Sequence, residues 1–113
     1  MTIPRYELTA EQAQEMRRAI ASAEMLDPPI ISSEEQPGLV LDIAAVGITD
    51  TGDPYLRCGD EKYLRIPEAL ADWATRSIVT HRDLVKAGNG RLFPTRIEFG
   101  VFNGAMYAEY VDL

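Results

Sequence analysis

The sequence predicts a single α+β domain, residues 1-113, in which an antiparallel sheet of about five strands packs with two helices on one face. The length of 113 residues and the apolar content of 46% suit one hydrophobic core. Two segments carry apolar residues at helical spacing, and the other apolar runs are short, bounded by turn-forming residues and mostly alternating, which is typical of strands. The expected order along the chain is α-β-β-β-α-β-β.

The first helix is expected over residues 9 to 25. Thr9 and Gln12 form a capping-box pattern at its start. Its apolar stripe has helical spacing and comprises Ala13, Met16, Ile20 and Ala23. Prolines end the helix because they cannot continue it. The segment that follows, residues 27 to 38, is rich in proline, serine and glutamate and is expected to form a long loop that does not pack.

Residues 39 to 48 are expected to form a central strand, since they are rich in leucine, valine and isoleucine. Strict alternation places Leu39, Leu41, Ile43 and Ala45 on one face, and Val40, Asp42, Ala44 and Val46 on the other. Two copies of Tyr-Leu-Arg then flank the turn-forming residues 59 to 62, which indicates a hairpin.

The second helix is expected from Pro67 to Ala87, with Gly88 as its C-terminal cap. A break near residues 78 to 80 is an alternative, because the Ile-Val-Thr run there weakens the helix and Thr80 could cap a second one.

The strongest local pattern is Asn103-Gly104 between two alternating runs, which predicts a hairpin with a two-residue turn. Counting outward from that turn pairs Phe102 with Ala105 and Glu98 with Glu109. The face expected to meet the core consists of Ile97, Phe99, Val101, Met106, Ala108 and Tyr110.

The chain is acidic, and the negative charge is concentrated in its first half. The net charge is −7; residues 1 to 61 hold 12 acids and 4 bases, whereas residues 62 to 113 hold 6 acids and 7 bases. An acidic surface repels nucleic-acid phosphates, so direct nucleic-acid binding is not expected and a basic protein partner is.

A cytoplasmic location without membrane contact is expected. The longest apolar stretch, residues 39 to 48, is about half the length that crosses a bilayer. The N-terminal residues lack the apolar segment of an export signal. The single cysteine, Cys58, cannot form an internal disulfide, which agrees with a reducing compartment. No metal or cofactor is expected, since neither ligand spacing nor a glycine-rich phosphate loop occurs.

Three groups could support catalysis, and each also has a structural interpretation that we favour. His81 could be a general base or a half-buried histidine with a hydrogen-bonded ring. Cys58 could be a nucleophile or an ordinary core residue. Glu98 and Glu109 could form a catalytic carboxylate pair or bind a basic partner, or be an exposed pair that Arg96 neutralises.

The outer face of the terminal hairpin combines aromatic and charged residues, as a protein-binding surface does. A second layer, formed by the first helix or the long loop lying over this face, is an equal alternative. The leading hypothesis is a small acidic inhibitor or immunity-type protein, by analogy with phage-encoded inhibitors of defence enzymes, that docks on a basic partner such as a nucleic-acid-processing enzyme. The candidate partner-binding residues are Glu11, Glu15, Glu34, Glu35, Asp53, Asp60, Glu61, Glu98, Phe102, Tyr107 and Glu109, with Glu7 and Asp50 adding to the negative field.

Two other classes of function remain open. An accessory or phage structural subunit would use the terminal hairpin for self-association, including homodimerisation. A small enzyme would use His81 or the Glu98/Glu109 pair, although such sites normally show a second convergent group.

Overall fold

Two helices and a mixed sheet make up the fold in the computed structural model, which describes residues 9 to 112. The helices are α1 (Ala10–Ala21) and α2 (Ala71–Lys86), and a single 3-10 turn, Glu68–Leu70, leads into α2. The strands are β1 (Glu24–Met25), β2 (Leu39–Ile48), β3 (Pro54–Cys58), β4 (Tyr63–Arg65), β5 (Thr95–Phe102) and β6 (Ala105–Tyr110).

The six strands are arranged in the order β1-β4-β3-β2-β5-β6. All neighbours are antiparallel except β1 and β4, which are parallel. The long strand β2 is therefore central, as expected. Its first half, Leu39 to Ile43, pairs with β5, and its second half, Ile43 to Ile48, pairs with β3. The β3-β4 hairpin and the β5-β6 hairpin therefore lie beside different halves of β2.

A β-bulge in β2 overturns the strict alternation expected for this strand. The pairing register with β3 shifts between Ile43 and Ala45. Because of the extra residue, the alternation of the following side chains between the two faces shifts by one position. As a result Val46, not Ala45, shares the face of Ile43 and packs against the core.

The core lies between α2 and one face of the sheet. Ile43, Leu56, Ile97 and Phe99 are its largest fully buried side chains. The Trp73 ring of α2 packs edge-on against Phe99, with ring centroids 5.7 Å apart. As predicted for the terminal hairpin, Ile97 and Phe99 are buried in the core, and Met106, Ala108 and Tyr110 pack against it.

The two helices lie on opposite faces of the sheet, so the expectation that both pack on one face is wrong. The Tyr55 hydroxyl contacts the sulfur of Met16 in α1 at 4.0 Å. Tyr55 alternates along β3 with Leu56, which is buried in the core beside α2. Because successive side chains of a strand point to opposite faces, α1 covers the face that α2 does not.

α1 also ends earlier than predicted. The Ser22 hydroxyl donates to the carbonyl of Arg18 at 2.9 Å and thereby binds the last turn of the helix. The next residues are extended, and Glu24–Met25 pairs with Leu64 and Arg65 as the edge strand β1. The sheet consequently has one strand more than about five.

The long loop packs more than its composition suggests. Pro28 and Ile31 are buried, contrary to the expectation for residues 27 to 38. The Ile31 amide donates to the carbonyl of Val101 at 2.9 Å, and the Val101 amide donates to the carbonyl of Pro29 at 2.8 Å. This part of the loop lies beside β5 beyond the point where β2 begins, so backbone pairing holds it in place.

Both predicted hairpins and the end of α2 are confirmed. Asn103-Gly104 gives the expected register, with Phe102 opposite Ala105 and Glu98 opposite Glu109. The Tyr-Leu-Arg copies pair antiparallel. α2 runs without a break through residues 78 to 80, and Gly88 (φ +71°) closes it.

Candidate protein-binding surface

Part of the sheet face opposite α2 is uncovered in the described structure. α1 lies over β3 and β4 on this face, and no helix of residues 9 to 112 packs over β5 and β6 there. Alternation places Glu98 and Phe102 of β5, and Tyr107 and Glu109 of β6, on this open face. Val40 of β2 pairs with Glu98 and joins them. We call these five residues the hairpin patch.

Within the hairpin patch, Tyr107 is held both by packing and by a hydrogen bond. Its ring lies across Gly100 on the neighbouring strand, and a Cβ at that position would come within 2.6 to 2.7 Å of the ring. Its hydroxyl donates to Glu98 Oε2 at 2.6 Å. Only a glycine at position 100 leaves room for this ring. Gly100 and the hydrogen bond to Glu98 together fix the orientation of Tyr107.

The carboxylate of Glu98 controls the ionisation of Tyr107. The hydrogen bond to Glu98 raises the pKa of the Tyr107 phenol to about 12, with desolvation and the negative charges of Glu98 and Glu109 adding to the effect. The hydroxyl therefore remains a neutral donor near neutral pH.

Glu98 and Glu109 stand opposite each other as predicted, but Arg96 does not neutralise them. The Arg96 guanidinium binds Asp112 through two hydrogen bonds, of 2.6 and 3.0 Å. This pairing raises the pKa of Arg96 and lowers that of Asp112. The Arg96 guanidinium is therefore engaged by Asp112, and it is Tyr107 that donates a hydrogen bond to Glu98.

The hairpin patch offers contact area as well as charge. Val40 is 42% exposed, although valine is apolar. Phe102 and Tyr107 are half-buried, and Glu109 is exposed. Rigid aromatic rings beside charged groups are typical of the anchors that dominate protein interfaces.

The other predicted acids are divided among several places. Glu11 and Glu15 lie on the exposed side of α1, and Glu34 and Glu35 lie in an exposed part of the long loop. Asp50 binds Arg17 at 2.5 Å, so its charge is compensated. Asp53 accepts a hydrogen bond from Thr51 within the turn after β2. Glu7 lies outside the described residues.

Asp60 and Glu61 take part in an acidic cleft that the sequence did not reveal. The cleft has a volume of about 860 Å³ and lies between the end of α1 and the tip of the β3-β4 hairpin. Its rim includes Glu24 and Asp42, which come from distant parts of the chain, with Lys62 among them. Val40 lines it as well, so the acidic cleft adjoins the hairpin patch. Only the tertiary fold brings these acids together.

The structure favours the non-catalytic interpretation of the two other candidates. The Nδ1 atom of His81 accepts backbone N–H groups from Leu92 at 3.1 Å and Phe93 at 3.3 Å. Cys58 is buried in β3. Burial, followed by the charge of Asp60, raises the pKa of the Cys58 thiol, which disfavours the reactive thiolate.

Comparison with known proteins identifies no relative, since no family model, curated protein or solved structure matches the chain.

In the part of the chain that the structure describes, no helix is both long enough and apolar enough to cross a bilayer.

Proposed function

We propose that this chain is a small cytoplasmic protein-binding module, of the inhibitor or immunity type, that docks the hairpin patch on a basic partner. The observation that carries the proposal is Tyr107, which is fixed between Gly100 and Glu98 on an open, acidic sheet face. A partner such as a nucleic-acid-processing enzyme presents the complementary positive surface.

Pre-organisation of Tyr107 supports a role in binding. Association ordinarily loses free energy when mobile side chains become fixed in the interface. The ring of Tyr107 is already fixed by packing and by its hydrogen bond, so little of this loss remains. Its exposed edge and the adjacent Phe102 are suited to contact an apolar part of the partner, such as the stem of a lysine or arginine.

Charge around the hairpin patch supports the choice of a basic partner. Glu98 and Glu109 lie within it, and Asp42 extends the negative charge along the same face toward the acidic cleft. Arg96, which pairs with Asp42 across the strands, is bound by Asp112. Such a field accelerates association with a positive surface and weakens as salt increases.

Affinity capture with matched variants tests this proposal. Immobilised protein is mixed with a bacterial lysate at low and at high salt, and retained proteins are identified by mass spectrometry. We expect a basic protein that is retained at low salt and lost with the Glu98→Gln/Glu109→Gln variant. The amide that replaces the Glu98 carboxylate would still accept the Tyr107 hydrogen bond, so the variant removes charge without removing the anchor.

The matched control is Glu11→Gln/Glu15→Gln, which removes the same charge from the exposed side of α1. It should retain the partner like the wild type. Equal loss with both variants would show that overall charge, rather than the hairpin patch, determines binding. Retention of no protein at either salt concentration would contradict the proposal.

Self-association is a second candidate function, because β6 is an edge of the sheet. Among residues 9 to 112, no strand pairs with the outer edge of Ala105–Tyr110. Such an edge can pair with its counterpart in a second copy, as in an accessory or phage structural subunit. Light scattering distinguishes self-association from docking on a basic partner, since a dimer formed by backbone pairing would persist at high salt.

A further inference from the structure

The second half of β2 has a free edge within the sheet. β5 pairs with Leu39 to Ile43 and goes no further, because its first residue, Thr95, lies opposite Ile43. Beyond that point β2 continues to Ile48 and pairs only with β3. Across the described part of the chain, no strand pairs with the other edge of residues 44 to 48.

The pairing of β3 shows which backbone groups point to this free edge. The Cys58 amide donates to Lys62, and Pro54 accepts from the Ile66 amide, so these residues of β3 bond toward β4. Tyr55 and Arg57, which alternate with these residues, bond toward β2 at the positions of Gly47 and Ala45. Backbone groups alternate in direction along a strand. The N–H and C=O groups of Val46 and Ile48 therefore point to the free edge.

A cleft of about 880 Å³ follows this edge and reaches both faces of the sheet. Ile78, His81 and Val85 of α2 line it on one face. Arg57 alternates with the buried Leu56 and Cys58, so it lines the cleft on the opposite face of the sheet. Arg91 also lines the cleft. We call this cleft the β2 groove.

We propose that the β2 groove binds an extended acidic segment of a partner protein, which adds to the sheet as a strand beside residues 44 to 48. Main-chain hydrogen bonds to Val46 and Ile48 would supply affinity. Side chains of the segment would alternate between the α2 wall and the opposite face, as in other cases of strand addition.

Charge complementarity argues for an acidic segment. The side chains that line the β2 groove include Arg57 and Arg91 but no carboxylate. Arg57 also forms an exposed ion pair with Glu61 at 3.3 Å. Such a pair is weak, so a ligand carboxylate can take the place of Glu61. His81 Nδ1 accepts two backbone N–H groups, which leaves Nε2 as the ring's N–H donor.

Exposed apolar side chains indicate that the segment also carries apolar residues. Val85, which lines the β2 groove, is 54% exposed, and Ile48, at the end of the free edge, is 43% exposed. Alternating glutamate and valine would place carboxylates near Arg57 and valines near Ile78 and Val85. This surface is separate from the hairpin patch, so the proposal goes beyond the function proposed above.

Amide hydrogen exchange with defined peptides tests the proposal. The probe is an acetylated, amidated peptide of alternating glutamate and valine, and the control replaces each glutamate with lysine. In the free protein we expect fast exchange at Val46 and Ile48, and slow exchange at Ala45 and Gly47. The acidic peptide should slow exchange at Val46 and Ile48, whereas the lysine peptide should not.

Variants locate the binding further. Arg91→Glu should weaken the acidic peptide by roughly tenfold in a fluorescence anisotropy titration, because a charge is reversed at the rim. Glu98→Gln/Glu109→Gln should leave it unchanged, which separates this site from the hairpin patch. A peptide with N-methylated backbone amides should not bind, since it cannot pair with the edge.

Two results would overturn the proposal. One is slow exchange at Val46 and Ile48 without any peptide, which would mean that another part of this chain or a second copy already fills the groove. The other is equal binding of the glutamate and lysine peptides, which would show that the site does not select acidic segments.

Discussion

The hydrogen bond from Tyr107 to Glu98 fixes the candidate surface at the scale of single residues. The ring can lie against the strand only because Gly100 has no side chain. Glu98 then holds the hydroxyl in a neutral state by raising its pKa to about 12. Gly100, Glu98 and Tyr107 together form an anchor. The sequence alone shows only that these residues belong to an alternating hairpin.

Glu98→Gln should lower the pKa of Tyr107 from about 12 toward its ordinary value of 10.0. The hydrogen bond to the Glu98 carboxylate is the main cause of the raised pKa. A neutral amide accepts that bond more weakly and does not repel the phenolate. Ultraviolet absorbance during an alkaline titration, with Tyr107→Phe subtracted, measures the change. An unchanged titration curve would mean that the bond to Glu98 does not exist in solution.

The same pKa shift gives stability a defined pH dependence. A folded-state pKa above the unfolded value stabilises the fold fully below pH 10.0, and the contribution is lost as pH rises through about 12. Urea denaturation across this range should show a smaller decline for Glu98→Gln than for the wild type. An identical decline in the two proteins would contradict this assignment.

Gly100→Ala should destabilise the protein by about 1 to 3 kcal/mol, because the new methyl group overlaps the Tyr107 ring and forces it away. Gly59→Ala is the control, since its nearest neighbour would lie at 3.5 Å, an ordinary contact. Urea denaturation measures both variants. Equal stability of the two would show that Tyr107 does not lie over Gly100.

At the scale of helices and strands, local patterns predicted some elements well and others not. Asn103-Gly104 determined the terminal register because a two-residue turn leaves no freedom of pairing. The bulge at Ala44 has no comparable signal, because every residue around it is small or apolar. β1 was missed because Glu24 and Met25 continue a helical pattern and become a strand only by pairing with β4.

The face occupied by α1 also depends on contacts that no local pattern contains. Its apolar stripe is narrow, and Ile20 is its only buried residue. Such a stripe suits either face of a sheet. The outcome depends on contacts such as that of Met16 with Tyr55, which joins residues 39 positions apart. For the same reason, the acids of the acidic cleft could not be grouped from sequence.

Gly88→Ala should destabilise α2 and the whole fold by about 1 kcal/mol. Gly88 has φ +71°, and its amide and that of Asn89 donate to the carbonyls of Val85 and Leu84. An L residue with a Cβ is strained in this conformation, whereas asparagine tolerates it better. Chemical denaturation should therefore rank the glycine protein first, Gly88→Asn second and Gly88→Ala third; an alanine variant as stable as wild type would contradict this cap.

At the scale of the whole molecule, the offset of the two hairpins along β2 separates surfaces of opposite charge. The acidic cleft lies beside the first half of β2, next to the hairpin patch. The β2 groove, with its arginines, lies beside the second half. The acidic first half of the sequence does not form one continuous negative surface, because Arg17 and Arg57 pair with acids of that same half. The functional negative charge is thus more local than the sequence suggests.

The rate of association with the captured partner, measured by stopped-flow fluorescence over a range of salt concentrations, tests the central claim most directly. If the hairpin patch docks on a basic surface, the wild-type rate falls steeply with salt, and Glu98→Gln/Glu109→Gln both slows binding and flattens this dependence. Glu11→Gln/Glu15→Gln keeps the wild-type dependence. A rate that does not change with salt, or that both variants alter equally, would contradict docking through the hairpin patch.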